Sequence, residues 1–205
     1  MSETPSHPLS TGTSAEADLA LIRRAMDEAA RTAAMDGRYL VLWGLVLTVA
    51  QGGTLAAHQM FGAAASEAIN YLWYGSFLTG FVGSMLLGFS HRHATINLAV
   101  RLYRNAWQGL FLALVTVAAT AAFGRVIQFI DFMVIAPMIT GLAFYVSSAA
   151  TGFGWLRWLA VAWWAAALVF GIAGPSQATG LLAVAVYLGL MTCPGYLIMR
   201  QGRSH

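Results

Sequence analysis

LWGLVLTVAQGGTLAAHQM, residues 42–60, is nearly all apolar, with Gln51 near its middle and His58 near its end. About 20 such residues in a helix, each rising about 1.5 Å, match the roughly 30 Å of hydrocarbon in a bilayer. The stretch therefore reads as a transmembrane helix with two polar side chains that need partners other than lipid. The rest of the chain fits this reading. Of 205 residues, 59% are hydrophobic and only 9% charged, where a soluble domain carries roughly a quarter charged residues.

Five further apolar stretches have the necessary length. The expected spans are about 39–60, 69–89, 106–123, 132–152, 155–173 and 177–199. Continuous apolar runs favour helices over the alternating, roughly ten-residue strands of a membrane barrel. The expected fold is thus an all-α bundle of six transmembrane helices. Residues 1–38 form a polar cytoplasmic segment and 200–205 a short cytoplasmic tail. The first apolar run begins too late and continues too long for a cleaved signal peptide, so the first span is expected to stay in the protein.

All eleven basic residues are arginines. With the N-terminus inside, Arg125 alone falls outside and the other ten lie on one face, as short cytoplasmic loops rich in basic residues require. Both termini are expected in the cytoplasm, and the compact, arginine-biased layout points to a bacterial inner membrane. Arg92, Arg101 and Arg104 lie between spans two and three, at the level where guanidinium groups meet lipid phosphates. Nucleic acid is not an expected partner, because the basic residues do not gather on one polar face.

Ahead of the first span, Thr13 to Asp36 carries a capping-box spacing at Thr13 and Glu16. Leu19, Ile22, Met26, Ala29 and Ala33 follow at intervals of three and four, which predicts an amphipathic cytoplasmic helix. That helix either lies on the membrane surface or docks on a membrane-protein partner or a second copy of the chain. Odd-numbered spans open on an arginine followed by a tryptophan (Arg38 and Trp43, Arg104 and Trp107, Arg157 and Trp158), a faint repeat that charge bias and interfacial aromatic residues would also produce.

Three groups of residues are candidates for function. Gln51 and His58, seven apart on one helical face, together with Gln128 and Asp131 make a candidate polar cavity open to the outside. Their alternative roles are interhelical hydrogen bonding for Gln51 and His58, and an interfacial acid paired with Arg125 for Asp131. Ser76, Gly80, Ser84 and Gly88, four apart, form a column of small residues suited to close helix packing. Pro137 and Pro194 interrupt spans four and six. No catalytic motif is present, one acid within the spans cannot form an aspartyl dyad, and His91 with His93 lacks further ligands. The sequence therefore carries no expected metal, cofactor or enzymatic activity. The reading it supports is a non-enzymatic accessory, assembly or regulatory subunit that works through helix packing, with a small transporter or channel as the alternative.

Overall fold

The computed structural model describes residues 17–22, 36–89, 98–123 and 129–201. Most of the N-terminal segment, Arg92, Arg125, Gln128 and the end of the tail lie outside them. Residues 17–22 are helical and exposed. They are the described part of the expected helix from Thr13 to Asp36.

The bundle itself consists of α1 (Gly37–Phe61), α2 (Ser66–Phe89), α3 (Leu98–Phe123), α4 (Phe129–Thr151), α5 (Trp155–Ala173), α6 (Gln177–Tyr187) and α7 (Cys193–Gln201). A short 3-10 turn, Gly62–Ala65, joins α1 to α2, and a π turn, Leu188–Thr192, joins α6 to α7. There is no strand among the described residues.

Six spans were expected; among the described residues four helical stretches are long and apolar enough to cross a membrane. These are Gly37–Phe61, Asp131–Thr151, Trp155–Ala173 and Gln177–Arg200. The other two expected spans, about 69–89 and 106–123, fall on α2 and α3, whose ends include side chains outside the described residues. α3 starts well before the expected residue 106, because the arginine-bearing connector continues the same helix.

Two connectors are only three residues long, and each turns on a glycine that other residues would strain. Gly152 has φ 75° and its N–H donates to the Ser148 carbonyl at 2.9 Å. Gly174 has φ 66° and its N–H donates to Phe170 at 3.1 Å. Both close a helix end at a positive φ that glycine adopts at no steric cost. Directly after the second, Ser176 caps α6: its hydroxyl accepts from the Thr179 N–H, and the Thr179 hydroxyl accepts from the Ser176 N–H at 2.8 Å. At the other end of the chain Asp36 caps α1, accepting from the Arg38 N–H at 3.0 Å and gripping its guanidinium at 2.9 Å.

In packing, α1 lies between α2 on one side and the α6–α7 strip on the other, while α4 lies between α3 and α5. The interior is filled by Leu40, Phe144, Leu156, Trp163 and Tyr187 from α1, α4, α5 and α6. Outside, large apolar side chains are bare: Leu78 is 63% exposed, Leu168 64% and Ile172 78%. A water-soluble monomer rarely shows so continuous an apolar exterior, and a helix bathed in hydrocarbon needs one.

The seam between α1 and α6–α7 depends on the absence of side chains. A Cβ on Gly195 would stand 2.7 Å from the Gly37 carbonyl oxygen and 2.8 Å from the Leu40 Cβ and the Val41 nitrogen. A Cβ on Gly44 would strike Thr192 and Met191. The π turn sits in this seam. Pro194 has no N–H to offer Leu190, and the Cys193 N–H reaches back five residues to the Leu188 carbonyl, so the ladder widens by one residue just before the proline.

Gly195→Ala is expected to cost about 1–3 kcal/mol, because the added methyl group meets backbone that cannot rotate away. Gly189→Ala, where a Cβ meets nothing within 4 Å, is expected to be neutral or slightly stabilising. Circular dichroism during unfolding in mixed micelles measures both; equal stability of the two variants would refute the tight seam.

Candidate functional site

The polar face of α1 divides among different neighbours. Gln51 is 5% exposed and packs against α6, where its Nε2 lies 3.4 Å from the place a Cβ on Gly180 would take. No hydrogen bond reaches its amide from any other described residue. Thr54 instead faces α2: its hydroxyl accepts from the Trp73 indole at 3.0 Å and donates to the Ala50 carbonyl at 2.9 Å. His58 is exposed, and its Nδ1 donates to the Thr54 carbonyl at 3.0 Å within its own helix.

Asp131, in the first turn of α4, borders a cavity of about 230 Å³. Met133 and Val134 of α4 form one side, Phe170 and Gly171 of α5 another. Gly174 and Pro175 of the connector, with Thr179 of α6, complete it. Gln51 and His58 are not among its lining residues, so the structure brings Asp131 together with the α5–α6 corner and not with the polar face of α1. Gln128 lies outside the described residues.

The small-residue column of α2 faces α1. A Cβ on Gly80 would come within 2.7 Å of the Trp43 ring, and one on Gly88 within 3.3 Å of the Tyr39 hydroxyl. Ser84 accepts from the Trp43 indole at 3.0 Å, and Ser76 is half-buried. At the opposite end from Asp131, Arg101 and Arg104 are exposed. Tyr103 beside them is half-buried and packs against the interior cluster.

Three features went unread in the sequence. The first is that tryptophans tie helices together and do more than anchor at the headgroups. Trp43 donates to Ser84, Trp73 to Thr54, Trp107 to Ser147 at 3.1 Å, and Trp164 to the Met138 carbonyl at 3.2 Å. Trp43 and Trp107 each follow a tyrosine by four residues and each grip a serine near the end of the next helix, so the α1–α2 and α3–α4 hairpins share a device. Trp158, placed by sequence in the same series, is exposed. Gly141 makes room for the Trp164 contact, since a Cβ there would stand 2.5 Å from the indole nitrogen.

The second is a buried hydroxyl cluster where α4 turns into α5. Ser147 and Thr151 donate to carbonyls one turn back, Ser148 donates to the Phe153 carbonyl at 3.0 Å, and Arg157 Nε donates to Ser148 at 3.3 Å. The third is that two interior polar atoms, Trp163 Nε1 and Thr192 Oγ1, have no partner among the described residues. A runs-of-four pattern in α6–α7 would not have suggested Thr192, because the π turn shifts the register there. Among the described residues no three His, Cys, Asp or Glu side chains gather to hold a metal ion.

Comparison with protein families, with characterised proteins and with solved structures found no match. Fold and site therefore stand on their own geometry.

The indole bridges are expected to be worth about 0.6 kcal/mol each, with about 1.7 as an upper figure. A double-mutant cycle of Trp43→Phe and Ser84→Ala, read as unfolding free energy, should give a coupling in that range; strict additivity would show that the bond contributes nothing. Thr192→Val, which removes a buried hydroxyl without a partner and keeps the shape, is expected to raise stability by up to about 1 kcal/mol in the same assay. A loss of stability would mean that the hydroxyl is satisfied.

Proposed function

We propose that this chain is a six-span integral membrane protein with both ends in the cytoplasm of a bacterium. In this reading it serves as a non-enzymatic accessory, assembly or regulatory subunit acting through helix packing. The observation that carries the proposal is the use made of interior polar groups. Trp43, Trp73, Trp107 and Trp164 with their acceptors run from helix to helix, and the buried serines and Thr151 close a helix end. A pathway for ions or polar solutes instead needs such groups facing a shared aqueous space near mid-membrane. Spans two and three of this reading are α2 and α3. Their bare apolar residues, Leu78, Leu86, Leu112 and Val115, support contact with lipid, and α2 and α3 pack along α1 and α4, which are apolar enough to cross unaided.

The alternative, a small transporter, draws on the Asp131 cavity alone. Flux into liposomes separates the two. The subunit reading expects no transport above empty vesicles, and transport that Asp131→Asn abolishes would overturn it. Purification in mild amphiphiles is expected to recover a second chain or a homo-oligomer, and a lone homogeneous monomer would count against the subunit role.

A further inference from the structure

Resting on the membrane reading but not on the subunit role, we propose that the start of α5 is a binding site for the phosphate of one anionic phospholipid. Arg157 is its cation, Ser148 of α4 is the residue that orients that cation, and Trp155 and Trp158 flank it.

The orientation follows from the direction of two hydrogen bonds. Ser148 is 1% exposed, and its hydroxyl donates to the Phe153 carbonyl at 3.0 Å. Its oxygen is thereby left as an acceptor, which Arg157 Nε fills at 3.3 Å. A buried hydroxyl on one helix thus holds an exposed guanidinium on the next. The Nη1 and Nη2 groups of Arg157 have no acceptor among the described residues. A planar guanidinium pinned at Nε presents those two nitrogens as a fork, which matches two oxygens of a phosphate. Arg101, Arg104 and Arg200 are also exposed, but no hydrogen bond or ion pair orients their side chains among the described residues. Arg38 is held by Asp36.

The tryptophans of this turn differ from those that bridge helices. Trp43, Trp73, Trp107 and Trp164 each donate to another helix. Trp155 and Trp158 are 38% and 76% exposed and donate to no other described residue. Within one turn of α5, three side chains therefore carry N–H donors that the described protein does not satisfy, beginning a helix long enough to cross a membrane. Headgroup depth supplies what they need. A phospholipid offers phosphate oxygens to the guanidinium, ester carbonyls to the indoles and acyl chain to the rings. Free phosphate offers the first alone, so lipid is the occupant.

Charge selects among lipids. A zwitterionic headgroup brings an ammonium beside its phosphate, and the first turn of α5 contains no acid to receive it. An anionic headgroup brings no such unpaired cation.

The test is native mass spectrometry of the full chain in maltoside micelles, titrated with phosphatidylglycerol or with phosphatidylcholine of the same acyl chains. Phosphatidylglycerol is expected as one saturable adduct, held about tenfold more tightly than phosphatidylcholine and about tenfold less tightly by Arg157→Gln. Arg101→Gln and Arg200→Gln are expected to change its binding by less than about twofold, because neither arginine is oriented. Arg157→Lys keeps the charge without the fork, and Ser148→Ala keeps the arginine without its support, so both fall between wild type and Arg157→Gln. Gel filtration and circular dichroism verify folding, and Arg157→Lys carries the comparison if Arg157→Gln does not fold. Equal retention of the two lipids, equal losses in the Arg157, Arg101 and Arg200 variants, unchanged binding in folded Ser148→Ala and Arg157→Lys, or full displacement by millimolar inorganic phosphate overturns the site. Incorporation into nanodiscs, measured in parallel, distinguishes the two failures: a chain that inserts without lipid preference sinks the site alone, and one that does not insert sinks the membrane reading and the site with it.

Discussion

The contact of α1 with the α6–α7 strip at Gly37 and Gly195 sets the geometry that the other helices follow. Two backbones approach there with no side chain between them. Between helices surrounded by hydrocarbon there is no hydrophobic drive, so close van der Waals contact and hydrogen bonds must supply the association. Once the first and last helices meet at this distance, Gly44 fits against Thr192 and Gln51 lies opposite Gly180. On the opposite side of α1, the ring of Trp43 lies across Gly80. The α4–α5 pair then completes the interior with Phe144, Leu156 and Trp163.

Hydrogen bonding follows from the same setting. An indole is well suited to it because its large ring fills the space between helices while a single N–H needs a single acceptor. A serine or threonine on the facing helix supplies that acceptor and passes its own proton to a carbonyl one turn back, as Thr54 and Ser147 do. Both partners are then satisfied, which matters where water is scarce. Trp163 and Thr192 depart from this scheme, and both lie in the part of the core closest in sequence or contact to the π turn.

Much of the architecture could be read from residues alone. The bounds of α5 agree with the expected 155–173 because glycines at 154 and 174 stop the apolar run on both sides. The position of Asp131 at a helix terminus followed from the length of the apolar run after it. The helix α3 begins ahead of the apolar run expected from 106, because Arg101 and Arg104 break apolarity without breaking helicity. Of the six expected spans, four meet the length and apolarity of a membrane crossing among the described residues, and the other two fall on α2 and α3. The seam of α1 was hidden because Gly37, Gly44 and Gln51 recur at seven, while their partners Gly195, Thr192 and Gly180 are spaced by a turn that only three-dimensional pairing reveals. A cavity shared by Gln51, His58, Gln128 and Asp131 was one of two readings of those residues; in the structure Gln51 faces α6, Thr54 faces α2 and His58 is exposed, while Asp131 borders the α5–α6 corner.

The widened turn at Leu188–Thr192 also makes the chain length of this region critical. Each residue advances a helix by roughly 100°, so deleting one residue there would restore an ordinary ladder and swing Pro194 and Gly195 about a quarter-turn away from Gly37. Exchanging side chains within the turn leaves that phase intact. Evolution of this stretch is accordingly free to vary its letters far more readily than their number.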